Sequence, residues 1–144
     1  MAGKIQLDLV TPERLMLSLP VDEVIAPGSE GEFGVLPGHT PFLTTLHIGE
    51  LRYRTGDQWH SIAVSWGYAQ VEPSRVTILA ELAEKAEEID LPRAAAAAAA
   101  AQEQLGKPGA SPSELDRIRE RLAKAHLRKR LGERRQGGGP PPSN

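Results

Sequence analysis

The chain has 144 residues, enough for one domain of ordinary size or a smaller domain with an appendage; its larger apolar residues are concentrated before position 92, and alanine inflates the 40% hydrophobic content. Cysteine is absent, which excludes disulfides and thiolate metal sites, and no apolar stretch reaches the about 18 residues of a membrane span. The net charge of −2 hides an asymmetry: residues 1–110 carry 8 Lys and Arg against 15 Asp and Glu, while residues 111–144 carry 9 against 4, so the far end suits an acidic partner.

Lys4 to Val10 places Ile5, Leu7 and Leu9 on one face at period two, which predicts a half-buried strand. Thr11 and Pro12 break it. A second apolar run covers Leu15 to Leu19, Pro20 leads into a strand from Val21 to Ala26, and Pro27 and Gly28 make the next turn. Glycines then crowd GSEGEFGVLPG, Gly28 to Gly38, without the lysine of a phosphate-binding loop, so they read as turns and bulges. His39 follows with no second ligand at metal spacing. Ile48 to Thr55 alternates again, Gly56 and Asp57 predict a two-residue hairpin before Trp59 to Ser65, and Trp66, Gly67 and Tyr68 lead into Ala69 to Glu72. VTILA, Val76 to Ala80, is expected as a last strand buried on both faces.

From IDLPRA, Ile89 to Ala94, the character of the chain changes. Asp90 can cap a helix start, Pro92 is tolerated in a first turn, and Leu91, Ala94, Ala98, Ala101 and Leu105 share one helical face. A turn covers Gly106 to Ala110, and SPSE, Ser111 to Glu114, predicts a capping box for a second helix. That helix carries an apolar stripe of Leu115, Ile118, Leu122 and Ala125 beside a basic ridge of Arg117, Arg121, Lys124 and Arg128. Leu131 and Gly132 are expected to end it, with a disordered Gly/Pro-rich tail over 136–144. The expected fold is β plus α: an antiparallel β-sandwich over residues 1–86 followed by a two-helix hairpin over 87–135.

The order of GSEGEFGVLPGHTPFLTTLHIGELRYR, SWGYAQVEPSRVTILAELAE and IDLPRA before two helices resembles the epsilon subunit of bacterial F-type ATP synthases, over residues 4 to about 131. The resemblance implies a sandwich of about ten strands on the central rotor stalk, touching the gamma subunit and the membrane c-ring, with no catalysis and no required cofactor. It implies that the hairpin can extend and inhibit ATP hydrolysis by meeting the catalytic alpha and beta subunits, the basic ridge facing an acidic surface. Glu30, Glu32 and His39 match the region at the membrane-ring end and are the expected rotor contacts. The implied location is the cytoplasmic face of the bacterial inner membrane, held there through the complex.

The same resemblance makes ATP a candidate regulatory ligand, sensed without hydrolysis. Ile89 and Ala94 would line the base site, Asp90 would accept from the adenine amino group, Arg93 would meet phosphate, and Glu84 would lie near the base. Arg128 would supply a second cation, with Lys124 standing where arginine is usual; lysine keeps the charge but loses the two-pronged hydrogen bond. The alternative from another class is a nucleic-acid-binding module using the basic second helix. Against it, the strands lack the aromatic pattern that stacks bases, and the ridge lies beside an apolar stripe suited to protein.

Overall fold

The structure, a computed structural model, describes residues 3–137, with side chains through residue 134. The chain divides into two compact units, the first reaching Lys85 and the second beginning at Ala86.

The first unit is built of eight strands: β1 (Ile5–Val10), β2 (Leu15–Val21), β3 (Glu23–Gly28), β4 (Gly31–Val35), β5 (Phe42–Leu46), β6 (Gly49–Thr55), β7 (Gln58–Val71) and β8 (Arg75–Lys85). They pair in the order β2-β1-β8-β7-β5-β3-β4, while β6 joins β3 to β7 and closes the sheet on itself. All pairings are antiparallel except β1 with β8, where Leu7 stands beside Val76 and Leu9 beside Ile78 in parallel register. Eight strands therefore replace the expected ten, and the sandwich is mixed rather than purely antiparallel. β7 also runs unbroken where the sequence suggested two strands, Trp59–Ser65 and Ala69–Glu72. β7 pairs β6 over Gln58–Val64 and then β5 over Gly67–Val71, so one strand serves both layers.

The change of partner falls at Trp66 and Gly67, with φ of 46° and 149°. Gly67 is required there: a Cβ would sit 1.8 Å from the carbonyl oxygen of Leu79 on β8. Trp66 takes the left-handed conformation that a bulky residue rarely adopts, and its indole lies 5.2 Å from the His47 ring.

Inward positions follow the period-two pattern. Ile5, Leu7 and Leu9 are fully buried and meet Val76, Ile78, Leu51 and Val64 in one cluster. VTILA does not bury both faces: Val76, Ile78 and Ala80 point in, and Leu79 is 47% exposed. Pro20 is accommodated inside β2 because β2 ends the strand order and has a free edge. The third strand begins two residues later than expected, at Glu23, and continues through Pro27 to Gly28. The hairpin at Gly56 and Asp57 forms as predicted, with Thr55 opposite Gln58.

In the second unit a 3-10 turn (Ala86–Glu88) precedes α1 (Leu91–Leu105) and α2 (Pro112–Gly137). Ala94, Ala98 and Ala101 are the buried residues of α1, on the predicted face. Ser111 caps α2 by accepting from the Glu114 backbone N–H at 3.2 Å, and its hydroxyl donates to the Glu114 carboxylate at 3.1 Å, so the acid meets the cap's side chain. Leu131 and Gly132 do not end α2. Its backbone continues through Gln136 and Gly137, and the rest of the expected tail lies outside the described residues.

Candidate functional site

The IDLPRA segment lies wholly within the second unit and is shaped by its own hydrogen bonds. Ile89 N–H donates to the Ala86 carbonyl at 3.2 Å, closing the 3-10 turn. Asp90 is extended (φ −83°, ψ 98°), and its Oδ1 accepts from the Arg93 N–H at 3.1 Å while its carbonyl accepts from Ala94 N–H at 3.0 Å. Pro92 occupies the first turn, where it costs no hydrogen bond. The cap holds the Arg93 backbone in place and leaves its side chain exposed. Ile89 and Ala94 are buried, at 3% and 0% exposure.

The cations expected around this segment are already engaged in part. Lys124 Nζ lies 3.1 Å from Glu120 Oε1 one turn earlier on α2. Arg121 donates to Gln104 Oε1 at 3.0 Å, tying α2 to the last turn of α1. Arg128 is half-buried and Arg117 exposed. Glu84 belongs to the first unit, on β8 opposite Ala63. The basic ridge is thus composed of residues with different duties: Arg121 ties the two helices together, Lys124 pairs within α2, and Arg117 projects from it.

The Gly28–His39 region is more structured than a solvated loop. Gly31 and Gly38 have φ of 124° and 85°, the turn geometry expected of these glycines. Gly38 N–H donates to the Pro73 carbonyl at 2.8 Å, pinning the loop to the β7–β8 turn. His39 Nδ1 lies 2.7 Å from the Thr40 carbonyl, and its ring packs 5.3 Å from Phe42. Glu30 is exposed in the β3–β4 turn. Glu32 instead accepts from Arg52 at 2.8 Å, and the Arg52 side chain is only 4% exposed.

Sequence reading missed one surface. On the outer face of the sheet Leu15 pairs with Val10, Val10 with Leu79, Leu79 with Tyr68 and Tyr68 with Thr45, a row crossing five strands. Leu15, Tyr68 and Leu79 are exposed, as is Leu43 two residues along β5 from Thr45. Thr77, outward between two inward residues, was the available signal that VTILA alternates and that Leu79 faces out.

The architecture is thus a closed sandwich followed by a capped two-helix arm. The sequence profile described as "ATP synthase, Delta/Epsilon chain, beta-sandwich domain" matches residues 4–86, a span that contains all eight strands. The ATP synthase epsilon chain of Geobacter metallireducens is 54% identical over 114 residues, covering 79% of this chain and 81% of its own. The ATP synthase epsilon chain 2 of Syntrophotalea carbinolica is 47% identical over 128 residues, covering 89% and 93%. The fold is also similar to a chain in the cryo-EM structure of the Euglena gracilis mitochondrial ATP synthase, OSCP/F1/c-ring in rotational state 1. That likeness has a TM-score of 0.70 at 24% identity and covers 96% of this chain and 82% of the other. The chain belongs to the family of bacterial ATP synthase epsilon chains, non-catalytic subunits of that enzyme. No described helix is long and apolar enough to cross a membrane.

Proposed function

We propose that this chain is the regulatory rotor subunit of a proton-translocating F-type ATP synthase, with a sandwich that grips the central stalk and a helical arm that opens to restrain ATP hydrolysis. The sandwich would contact the gamma subunit and the membrane c-ring; the similar Euglena gracilis chain belongs to an OSCP/F1/c-ring assembly. The outer row of Leu15, Leu79 and Tyr68 is the surface best suited to the stalk, since exposed apolar side chains in register across neighbouring strands favour a protein partner. Glu30, at the exposed turn, and His39, in the pinned loop, are proposed for the c-ring, with Glu32 acting through its hold on Arg52. The complex would sit on the cytoplasmic face of the bacterial inner membrane, this chain reaching the membrane only through its partners.

The observation that carries the arm's role is that the hairpin is closed through alanines: Ala94, Ala98 and Ala101 are what α1 buries. Each contributes about one methyl group, roughly 0.8 kcal/mol, where a leucine would contribute about 1.5–3. The helices can therefore persist while their docking is exchanged for docking elsewhere. In the extended state Arg117, Arg121, Lys124 and Arg128 would meet acidic surface on the catalytic alpha and beta subunits. ATP would oppose this by holding the arm folded, with Arg93 on the phosphates, Arg128 and Lys124 beside it, and Ile89, Ala94 and Asp90 around the base. The second oxygen of Asp90, the one that does not cap α1, is the acceptor for the adenine amino group.

Two measurements test the two halves. The chain has no cysteines, so a pair introduced at Ala98 and a facing α2 position can be oxidised cleanly. Locking the hairpin should raise ATP hydrolysis by the assembled enzyme, and equal rates in the locked and reduced forms would remove the arm's inhibitory role. Calorimetric titration of the isolated chain with ATP should give heat that Arg93→Ala abolishes; no heat in the unaltered chain would remove ATP sensing and leave the rotor assignment in place.

A further inference from the structure

Gly132 lies in the interior of α2, in a segment otherwise rich in good helix formers. Glycine there costs the helix about 1 kcal/mol relative to alanine. It is not a helix stop, since the backbone continues for another turn. The space around it explains its presence. A Cβ at 132 would lie 3.2 Å from Leu91 Cδ1, 3.4 Å from Ile89 Cγ2 and 3.5 Å from Leu91 Cβ. Gly132 is buried, as are Leu131 and Ile89 beside it. The missing side chain is a notch into which the two residues flanking the α1 cap are set.

The notch is at the informative end of the hairpin. The two helices are joined covalently through Gly106–Ala110, so at the opposite end α1 and α2 are held by packing rather than by a connecting turn. There α2 also meets the 3-10 turn that precedes Ile89. A pivot about the Gly106–Ala110 turn would separate the Gly132 end by the most, because α1 is 15 residues long, a lever of about 22 Å.

We infer that Gly132 is the latch of the arm: its notch clasps Ile89 and Leu91, and the fit of that clasp sets the balance between the folded and extended hairpin. This rests on the two-state arm proposed above, and it deepens that reading by naming the contact that regulates it. On the α1 side the seam repeats the same small side chain at Ala94, Ala98 and Ala101, which by itself specifies register weakly. Gly132 admits Leu91 and Ile89 at one position only, so it supplies register as well as closure. It also couples the arm to the IDLPRA segment, because Ile89 and Leu91 flank the Asp90 that caps α1.

The test uses the full chain, spin-labelled at Glu88→Cys and Glu133→Cys, both exposed positions beside the clasp. The unaltered clasp should give a short inter-label distance. Gly132→Leu fills the notch with a better helix former and should raise the ratio of long to short distances about tenfold, the scale of overpacking a small filled contact. Helicity by circular dichroism should hold or rise, which separates undocking from unfolding. Leu91→Ala added to Gly132→Leu empties the space the new side chain needs and should return the short distance. The latch is overturned by an unmoved distance in Gly132→Leu, by a long distance that Leu91→Ala does not reverse, or by loss of helicity. Neither ATP nor the assembled enzyme enters these readouts. Distances that respond while hydrolysis ignores the disulfide lock would sink the inhibitory role and keep the latch; the reverse would sink the latch alone.

Discussion

Ile5, Leu7 and Leu9 fill the sandwich with branched side chains at 0% exposure, whereas α1 offers its partner helix Ala94, Ala98 and Ala101. The sandwich takes its order from contacts distant in sequence: β1 lies beside β8, and β3 is closed against β6. The hairpin takes its order from local signals, the Asp90 and Ser111 caps and the helix propensity of alanine. The sandwich depends mainly on what it buries, while in the hairpin local caps and helix propensity add to a seam that is small on the α1 side. The two-state arm proposed above would need these two kinds of stability kept apart.

The largest contrast should come from Gly67→Ala. The new methyl would collide with the Leu79 carbonyl at a backbone angle that side chains rarely adopt, so strand β7 must shift where it passes from β6 to β5. A loss of more than about 4 kcal/mol, or failure to fold, is expected in urea unfolding. A variant that unfolds at nearly the same urea concentration would show that β7 can yield there. Leu51→Ala, at the centre of the same core, should cost about 2–5 kcal/mol. Ala98→Gly in α1 removes one methyl and some helix propensity, about 1–2 kcal/mol together, and should be seen as faster hydrogen exchange in the helices with the sandwich unmoved. Equal effects of Leu51→Ala and Ala98→Gly on global unfolding would break the contrast between the two units.

The glutamates of the β3–β4 region sharpen it at finer scale. Glu32→Ala takes the Glu32 carboxylate from the buried Arg52 guanidinium and should cost about 1–2 kcal/mol, reduced from a fully buried pair because Glu32 is partly exposed. Glu30→Ala should fall within about 0.5 kcal/mol. If the two match, Arg52 does not depend on Glu32 for its burial. The pair also separates stability from function: Glu30→Ala is the cleaner probe of a c-ring contact, since a defect in coupling cannot then be blamed on the fold.

What sequence could and could not convey follows from the same division. Helix starts were legible because a cap is a local event: Asp90 to Arg93 and Ser111 to Glu114 each span four residues, and both close as expected. The end of α2 was misread because glycine is a common helix terminator, and only the approach of Leu91 and Ile89 from elsewhere in the chain explains a glycine inside the helix. The joining of two expected strands into β7 was missed for a similar reason. Trp66 and Gly67 look like a break, yet β8 carries the register across them, with Ser65 opposite Leu82 and Gly67 opposite Ala80. Of the proposed binding residues, Asp90 was legible in its capping duty. The ion pair of Glu32 with Arg52 depended on tertiary placement that spacing does not fix, whereas Glu120 and Lys124 stand four apart on α2, a spacing that signals a pair.

The smallest expected effect concerns pH and falls on the sandwich. The Asp8 carboxyl is held below the ordinary carboxylate range chiefly by the Ser18 hydroxyl, which donates to it at 2.6 Å, with Gln6 and Arg75 adding to the effect and burial opposing it. Asp22 is lowered likewise, first by Lys4 at 2.7 Å and then by the Gly56 N–H at 2.7 Å. A carboxylate whose folded pKa is depressed binds its proton more readily in the unfolded chain, so its stabilisation is complete above the unfolded value of about 3.9 and is lost as pH falls toward the lower folded value. Both groups tie the ends of strands together: Asp8 joins β1 to β2 and to Arg75 at the start of β8, and Asp22 joins Lys4, at the entry to β1, to the β6–β7 turn. Acid should therefore loosen the sandwich around these groups below about pH 4. Asp8→Asn should lower stability at neutral pH and flatten its fall between about pH 4 and pH 2, measured by thermal unfolding across that range. An unchanged slope would mean that Ser18, Gln6 and Arg75 position the strands without drawing stability from the charge on Asp8.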